Sequence, residues 1–491
     1  MNIIMLYPKF PDTFWSFRHA LKFIHKKASS PPLGLLTVAS MLPGEWQVRL
    51  VDLNVNQIKP GDLEWADYAF ISAMAVQRES AVKVIEMCKK AGVKIVAGGP
   101  LFTSEYETFP RVDHFILNEA EITLPPFIAD LKAGHPQRIY STSRYPELQQ
   151  TPIPRWELVN FKQYATMDIQ FSRGCPYDCD FCNITALFGH RPRLKSSAQL
   201  IAELDHLYAL GWRGGVFFVD DNFIGNKKQL KQDVLPALIQ WRKGKLGLPF
   251  STEVSINISD DQTLMEMMVA AGFTTVFIGI ESPSEASLNE CNKFQNKNRD
   301  LVACVKSIQR TGLQVQGGFI IGFDNDTPSI FQQQIDFIQK SGIVSAMVGL
   351  LQAPLGTRLY ARLRDEKRLL PNISGNNVDG STNIIPKMGF ETLLAGYKQV
   401  LNQIYSPKLY YDRVITFLKE YQAPKLRVSL SFDYILAFLL SIYHLGIKGV
   451  ERVQYWKLWG WVLLHKPRLF PNAITLAIYG YHFRRICELN T

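Results

Sequence analysis

Short, strongly apolar runs alternate with amphipathic stretches over roughly the first 145 residues. The runs Ile3–Tyr7, Val48–Leu53, Tyr68–Ala73, Val93–Ala97 and His114–Leu117 read as strands, with helices at Pro32–Leu42 and Glu79–Ala91 between them. Strands that each return by a helical crossover form a parallel, doubly wound sheet, whose ligands sit beyond the strands' carboxyl ends. The pattern lapses across Ser141–Pro154, where Pro146, Pro152 and Pro154 lie among polar residues, and 146–164 is expected to be a linker. A second series follows at Thr166–Phe171, Gly215–Val219, Phe250–Val254, Thr275–Gly279, Gln316–Ile321 and Ser345–Leu351, enough for six βα repeats over 165–370. Pro371–Gly380, rich in Asn, Gly, Ser and Asp, ends that series, and 371–491 is expected to be mostly helical. The fold class is therefore α/β, with 1–145 and 165–370 as its two sheet-bearing parts.

Composition narrows the function. Hydrophobic residues make up 47% of the 491 residues and charged residues 20%, which is ordinary for a globular chain and unlike a disordered one. The net charge is +10, but Lys and Arg are dispersed without a basic block, so no nucleic-acid partner is expected. Seven cysteines, three of them within eight residues, make a poor disulfide framework and favour a reducing, cytoplasmic setting. The first ten residues carry no leader pattern and read as a strand.

The three clustered cysteines form Cys175-Pro-Tyr-Asp-Cys179-Asp-Phe-Cys182, directly after the first strand of the second series. Three thiolates on one loop can hold three irons of a [4Fe–4S] cluster and leave the fourth open for chemistry. A zinc site completed by His190 or Cys291 is the alternative. The three-then-two spacing, with aromatic Phe181 before the last cysteine, resembles the loop of radical S-adenosylmethionine (SAM) enzymes. That resemblance implies a partial (βα)6 barrel in which SAM chelates the open iron. Further segments occur in the family's order. Phe217-Phe-Val-Asp-Asp-Asn-Phe223 implies Asp220 and Asp221 near the amino end of SAM. Ser251-Thr-Glu253-Val-Ser255-Ile-Asn257 and Phe277-Ile-Gly279-Ile-Glu281-Ser282 imply Glu253, Ser255, Glu281 and Ser282 as SAM-binding residues, beside Phe181. Gly317-Gly-Phe-Ile-Ile-Gly322-Phe-Asp324 and Ala353-Pro-Leu-Gly356-Thr357 complete the barrel.

The amino-terminal part, with Pro31-Pro-Leu-Gly-Leu-Leu36, Gly98-Gly99-Pro100 and Asn118-Glu-Ala-Glu121, is similar to the cobalamin-binding domain of one radical SAM subgroup. The resemblance implies Gly98, Gly99, Pro100, Asn118 and Glu119 around the corrinoid, and Met74, Gln77 and Arg78 beneath cobalt. Asn118 and Ala120 stand where the subgroup more often has glycines, and the Asp-x-His-x-x-Gly signature of a histidine cobalt ligand is absent. A Gly-x-Gly-x-x-Gly dinucleotide fingerprint is missing as well.

Together the two resemblances imply methylation of an unactivated carbon. One SAM methylates cob(I)alamin, a second yields the 5′-deoxyadenosyl radical, and the substrate radical takes the methyl group. They also imply a flavodoxin- or ferredoxin-like electron donor. The tail carries aromatic, basic stretches at Leu430–Tyr443 and Tyr455–Leu464, each shorter than the roughly 20 apolar residues of a membrane span. Core helices, or interfacial helices at the cytoplasmic membrane face, are the readings left. The whole layout resembles the hopanoid C-2 methylase group, which acts on pentacyclic lipids. A cobalamin-binding cyclase, oxidase or rearrangement enzyme is the second reading, and a non-catalytic cobalamin or redox sensor the third.

Overall fold

The computed structural model describes residues 1–371, 373–376, 378–424 and 432–490, and the backbone alone of Phe432. Leu430 and Ser431 of the first tail stretch, and Asn372 and Asn377 of the expected second boundary, lie outside these.

The amino-terminal sheet has six parallel strands: β1 (Asn2–Tyr7), β2 (Gln47–Asp52), β3 (Tyr68–Ser72), β4 (Lys94–Gly98), β5 (His114–Ile116) and β6 (Ile139–Tyr140), in the order β2-β1-β3-β4-β5-β6. The strand order reverses at β1, so a crevice opens beyond the carboxyl ends of β1 and β3. Helices Leu33–Met41 and Arg78–Lys90 fall within a residue of their expected places. Two separate apolar layers, one on each face, bury the strands: Ile4, Leu6 and Ile71 point to one, Ile3, Met5 and Phe70 to the other.

The second sheet is also parallel: β7 (Thr166–Ile169), β8 (Gly215–Phe218), β9 (Phe250–Glu253), β10 (Phe273–Glu281), β11 (Gln314–Ile321) and β12 (Ala346–Leu350), in sequential order with β7 and β12 as its unpaired edges. It is the expected partial barrel of six strands. Alternation sends Met167, Val216, Thr252 and Val276 outward under the helices. It sends Asp168, Phe217, Glu253, Phe277 and Gln316 into a lumen.

The segment read as a linker is packed along its length. Leu148 and Trp156 are fully buried, and three short 3-10 turns carry the chain across the junction. Its composition is polar, but the few large apolar side chains it has are spent on packing. Residues 8–31 also do more than connect. They run as a strap beneath the barrel, where Lys27 N donates to Gln163 O (2.8 Å) and Thr166 N to Ser29 O (2.8 Å). Phe14, buried in that strap, packs on the rings of Tyr405 and Phe483.

The carboxyl-terminal part is helical as expected: Phe390–Ile404, Pro407–Glu420, Phe432–Ser441, Arg452–His465 and Phe470–Asn490. The first two pack on the barrel helix Ser329–Ser341, where buried Arg413 donates to Gln339 Oε1 (2.6 Å) and Ile404 O (2.8 Å). No helix among the described residues is long and apolar enough to cross a membrane.

Candidate active site

A single cavity of ≈ 2620 Å3 runs from the carboxyl ends of β3, β4 and β5, through the barrel lumen, to the carboxyl-terminal helices. Drug-sized pockets hold about 300–1,000 Å3, so this space suits several large ligands at once. Met74, Gly98, Gly99, Pro100, Asn118 and Glu119 line its amino-terminal end. A Cβ on Gly98 would lie 2.8 Å from Ile116 O, and one on Gly99, at φ +88°, 2.6 Å from Ser72 Oγ. Both positions therefore require glycine because neighbouring strands and Ser72 pack closely against them, which holds the backbone of the Gly98-Gly99-Pro100 turn at the cavity wall. Asn118 stands at φ +62°, a left-handed conformation that Asn tolerates better than most residues, which accounts for Asn where a glycine is commoner.

Two of the residues expected beneath cobalt are engaged elsewhere. Gln77 is buried, donating to Pro8 O (2.5 Å) and accepting from Met74 N (2.9 Å), so it shapes the Met74 turn. Arg78 pairs with Glu105 on the far side of that turn. Met74, half exposed to the cavity, is the side chain left at this position.

Glu119 is likewise committed. Its carboxylate meets Arg173 (2.7 Å) and Arg193 (2.8 Å), while Glu121 meets Arg173 (2.9 Å), all four side chains being largely buried. Arg173 and Arg193 face each other across the short antiparallel pair Ser172–Arg173 and Arg193–Leu194 that brackets the cysteine loop. The loop's base is thus fastened to the end of β5 by charge. At the opposite end of β7, Tyr164 donates to Asp52 (3.0 Å) at the end of β2.

Within the loop, Cys182 N donates to Cys179 O (3.1 Å), and burial raises all three thiols, Cys182 to about 12. Such thiols stay protonated until a metal displaces the proton. No three His, Cys, Asp or Glu side chains among the described residues converge as one zinc ion would require. Cys291 Sγ turns to Leu288 O (3.7 Å), and exposed His190 lies 4.0 Å from Asp178. A cubane instead takes one thiolate per iron, and the three-cysteine loop fits that demand.

Of the two acids after β8, one departs from expectation. Asp220, placed by sequence at the amino end of SAM, accepts from Phe171 N (3.2 Å) and from the backbone and hydroxyl of Ser172, and is almost fully buried. It supports the loop and has no free face. Asp221 accepts from Gly174 N (3.0 Å) and keeps partial exposure. Ser255 is held by Asn222 (3.3 Å) and Asn257 (2.7 Å). Glu281, at φ +63°, pairs with Lys293 (2.7 Å), and a Cβ on Gly279 would lie 2.2 Å from the Glu281 carboxylate. Glycine is thus required for this ion pair, which sits beside Cys179. Ser282 is wholly buried and accepts from Ser284 N (3.2 Å). Phe181 packs behind the loop near Phe323 (6.3 Å).

The lumen holds Glu253, expected from sequence, and Asp168, which sequence reasoning missed. Burial, with Asp221 and Asp220 adding to it, pushes Glu253 to about 8, and burial pushes Asp168 to about 7. Asp168 Oδ1 is buried with no protein partner. An acid at an inward position of a barrel strand, in Thr166-Met-Asp168-Ile-Gln170, was the available signal. Trp15 from the strap packs on Phe277 (4.8 Å) across the lumen's lower end.

Three family models match the chain: the B12 binding domain over residues 24–128, the Radical SAM superfamily over 169–338, and a domain of unknown function (DUF4070) over 357–491. An uncharacterized methyltransferase of Synechocystis sp. is 39% identical over all of this chain and 92% of its own length. The hopanoid C-2 methylase of Rhodopseudomonas palustris is 32% identical over 93% of this chain and 88% of its own. The chain belongs to the cobalamin-dependent radical SAM methyltransferases. The fold agrees. The cobalamin-dependent SAM radical enzyme OxsB, with aqua-cobalamin and SAM bound, superposes with a TM-score of 0.64 at 15% identity, covering 100% of this chain and 80% of its own. The radical SAM methyltransferase TsrM of Kitasatospora setae gives 0.60 at 14%, covering 99% of each. This methyltransferase accordingly uses a [4Fe–4S] cluster, SAM and cobalamin.

Two outcomes follow for the enzyme. Gly99→Leu collides with Ser72 and Ala73 and displaces the turn at the cavity wall, so the reconstituted variant should lack the cobalamin absorbance while keeping wild-type iron and sulfide; equal cobalamin content would refute a role for this turn in the cobalamin site. Glu253 has its folded value raised from 4.5 to about 8. A raised carboxyl favours folding below its unfolded value and loses that contribution as pH climbs to the folded one. The urea midpoint of the cofactor-free enzyme should therefore fall between about pH 5 and 8, and Glu253→Gln should flatten the slope.

Proposed function

We propose that this enzyme methylates an unactivated ring carbon, C-2, of a hopanoid-type pentacyclic lipid, drawing electrons from a flavodoxin- or ferredoxin-like donor. Residues 1–145 would hold cobalamin, with Met74, Gly98, Gly99, Pro100 and Asn118 in contact. Residues 165–370 would hold the cluster on Cys175, Cys179 and Cys182, and SAM against Phe181, Asp221, Glu253, Ser255, Glu281 and Ser282. Residues 371–491 would face the substrate.

The observation that carries this reading is the continuity of the cavity, which joins the crevice of the amino-terminal sheet, the lumen and the apolar tail helices. The 32% identity to a hopanoid C-2 methylase supports the substrate class. When bound, the cluster and SAM supply the hydrogen-abstracting radical, and cobalamin the methyl group. The chain's part is to position and to exclude water. Trp15, Phe217, Val219 and Phe277 give the lumen apolar walls against which a flat saturated ring system can lie. Glu253, protonated at neutral pH, keeps a negative charge away from that surface and donates a hydrogen bond instead. Asp168, with one oxygen unpartnered, is suited to a polar group of the ligand at the lumen wall.

Anaerobic enzyme reconstituted with iron, sulfide and hydroxocobalamin should transfer label from methyl-labelled SAM to diploptene under reductant, with 5′-deoxyadenosine as co-product. Cys179→Ala should abolish both. Deoxyadenosine with unlabelled lipid would overturn the hopanoid assignment and point to another substrate, or to ring closure or rearrangement.

A further inference from the structure

The exposed faces of the tail helices invert the usual order of a soluble protein. Along Asp433–Ile447 the exposed positions are Tyr434, Ile435, Leu439, Tyr443 and Ile447, spaced by about one helical turn and all bulky. Val450, in the connection, is 75% exposed. The exposed stripe of Arg452–His465 repeats the theme with Val453, Trp456, Leu463 and Leu464, the last 82% exposed, beside Arg452 and Lys457. The two helices are fastened together: Trp456 Nε1 donates to Gly446 O (2.9 Å), and the hydroxyls of Tyr455 and Ser441 lie 2.7 Å apart. Contiguous apolar surface of this kind marks a docking face.

Charge selects the occupant. From Asp433 to Thr475 the chain has five Lys and Arg residues (448, 452, 457, 466, 468) and two acids. One of the acids, Glu451, is buried against Arg484 (2.6 Å), and Asp433 is only partly exposed. The exposed face thus carries bulky apolar side chains and positive charge with no fully exposed carboxylate. A second copy would bring the same positive charges against these. An anionic bilayer surface offers both a boundary for the apolar groups and headgroups for the basic ones. Continuity with the cavity gives the face a purpose, since Tyr434 and Ile435 are exposed and also line the cavity, together with Arg468, Pro471 and Thr475.

We propose that the helices Phe432–Ser441 and Arg452–His465, with their connection, seat the enzyme on an anionic lipid bilayer, so that the cavity mouth beside Tyr434 and Arg468 opens at the membrane surface. The purpose rests on the lipid-substrate reading above; the binding does not. Reconstituted enzyme of this whole sequence is floated with phosphatidylethanolamine vesicles with and without phosphatidylglycerol. Wild type should float with the anionic vesicles and less with the neutral ones, and salt should weaken it. Val450→Asp and Leu464→Asp, both outside the cavity, should each cut partitioning on the order of tenfold, since a buried aliphatic side chain contributes about 1.5–3 kcal/mol. Both should keep wild-type cobalamin absorbance and thermal midpoint as proof of folding. Wild type left in the bottom fraction, or variants that float equally well, would overturn the proposal. So would variants that dissociate a dimer on size exclusion, which would assign the face to a second copy. Flotation without methylated hopanoid would overturn only the substrate assignment.

Discussion

The geometry of the site depends on the buried charges Arg173, Arg193, Glu119 and Glu121. They join the end of β5, where the corrinoid domain opens, to the base of the cysteine loop. Removing one partner from a buried pair costs about 3–5 kcal/mol, because it strands the other charge. Charges so placed are a stiff spacer. With Tyr164 on Asp52 at the other end of β7, they fix one edge of the barrel against the amino-terminal sheet and so fix where two cofactors can stand relative to each other.

Around that junction the two sheets divide the work by ordinary rules. The doubly wound sheet offers its switch-point crevice, whose wall is shaped by the close-packed turn at Gly98 and Gly99. The barrel offers alternate residues to a lumen, and its two unpaired edges leave it a partial barrel. The strap of residues 8–31 and the helix Phe470–Asn490 meet beneath it, where His482 lies 3.0 Å from Phe14 O. Radical chemistry needs such shelter, because water and stray hydrogen donors compete with the substrate.

Much of this was legible in the sequence. Eleven of the twelve strands in the two parallel sheets follow from apolar runs and turn residues, and the cysteine spacing with the glycine pairs points to both cofactor regions. β6, two residues long, left no periodic signal. What stayed hidden depends on pairs distant in the chain. Asp220 reads as a ligand contact by motif position, yet Phe171 and Ser172 claim it, because a strand end followed by a loop leaves backbone donors to be satisfied. Glu119 and Gln77, expected from the resemblance at the corrinoid, also hold loops through distant partners, which sequence does not announce. The strap drew no reading from sequence, since nothing local announces that Trp15 meets Phe277. The polar linker concealed Trp156 in the same way.

The central claim is that the buried charges between β5 and the cysteine loop set the spacing of the two metal centres. Pulsed electron paramagnetic resonance on enzyme carrying the reduced cluster and cob(II)alamin tests it most directly. The account predicts a resolved dipolar coupling between the two spins that broadens or vanishes in Arg173→Met. Two isolated signals in the wild-type enzyme would contradict it.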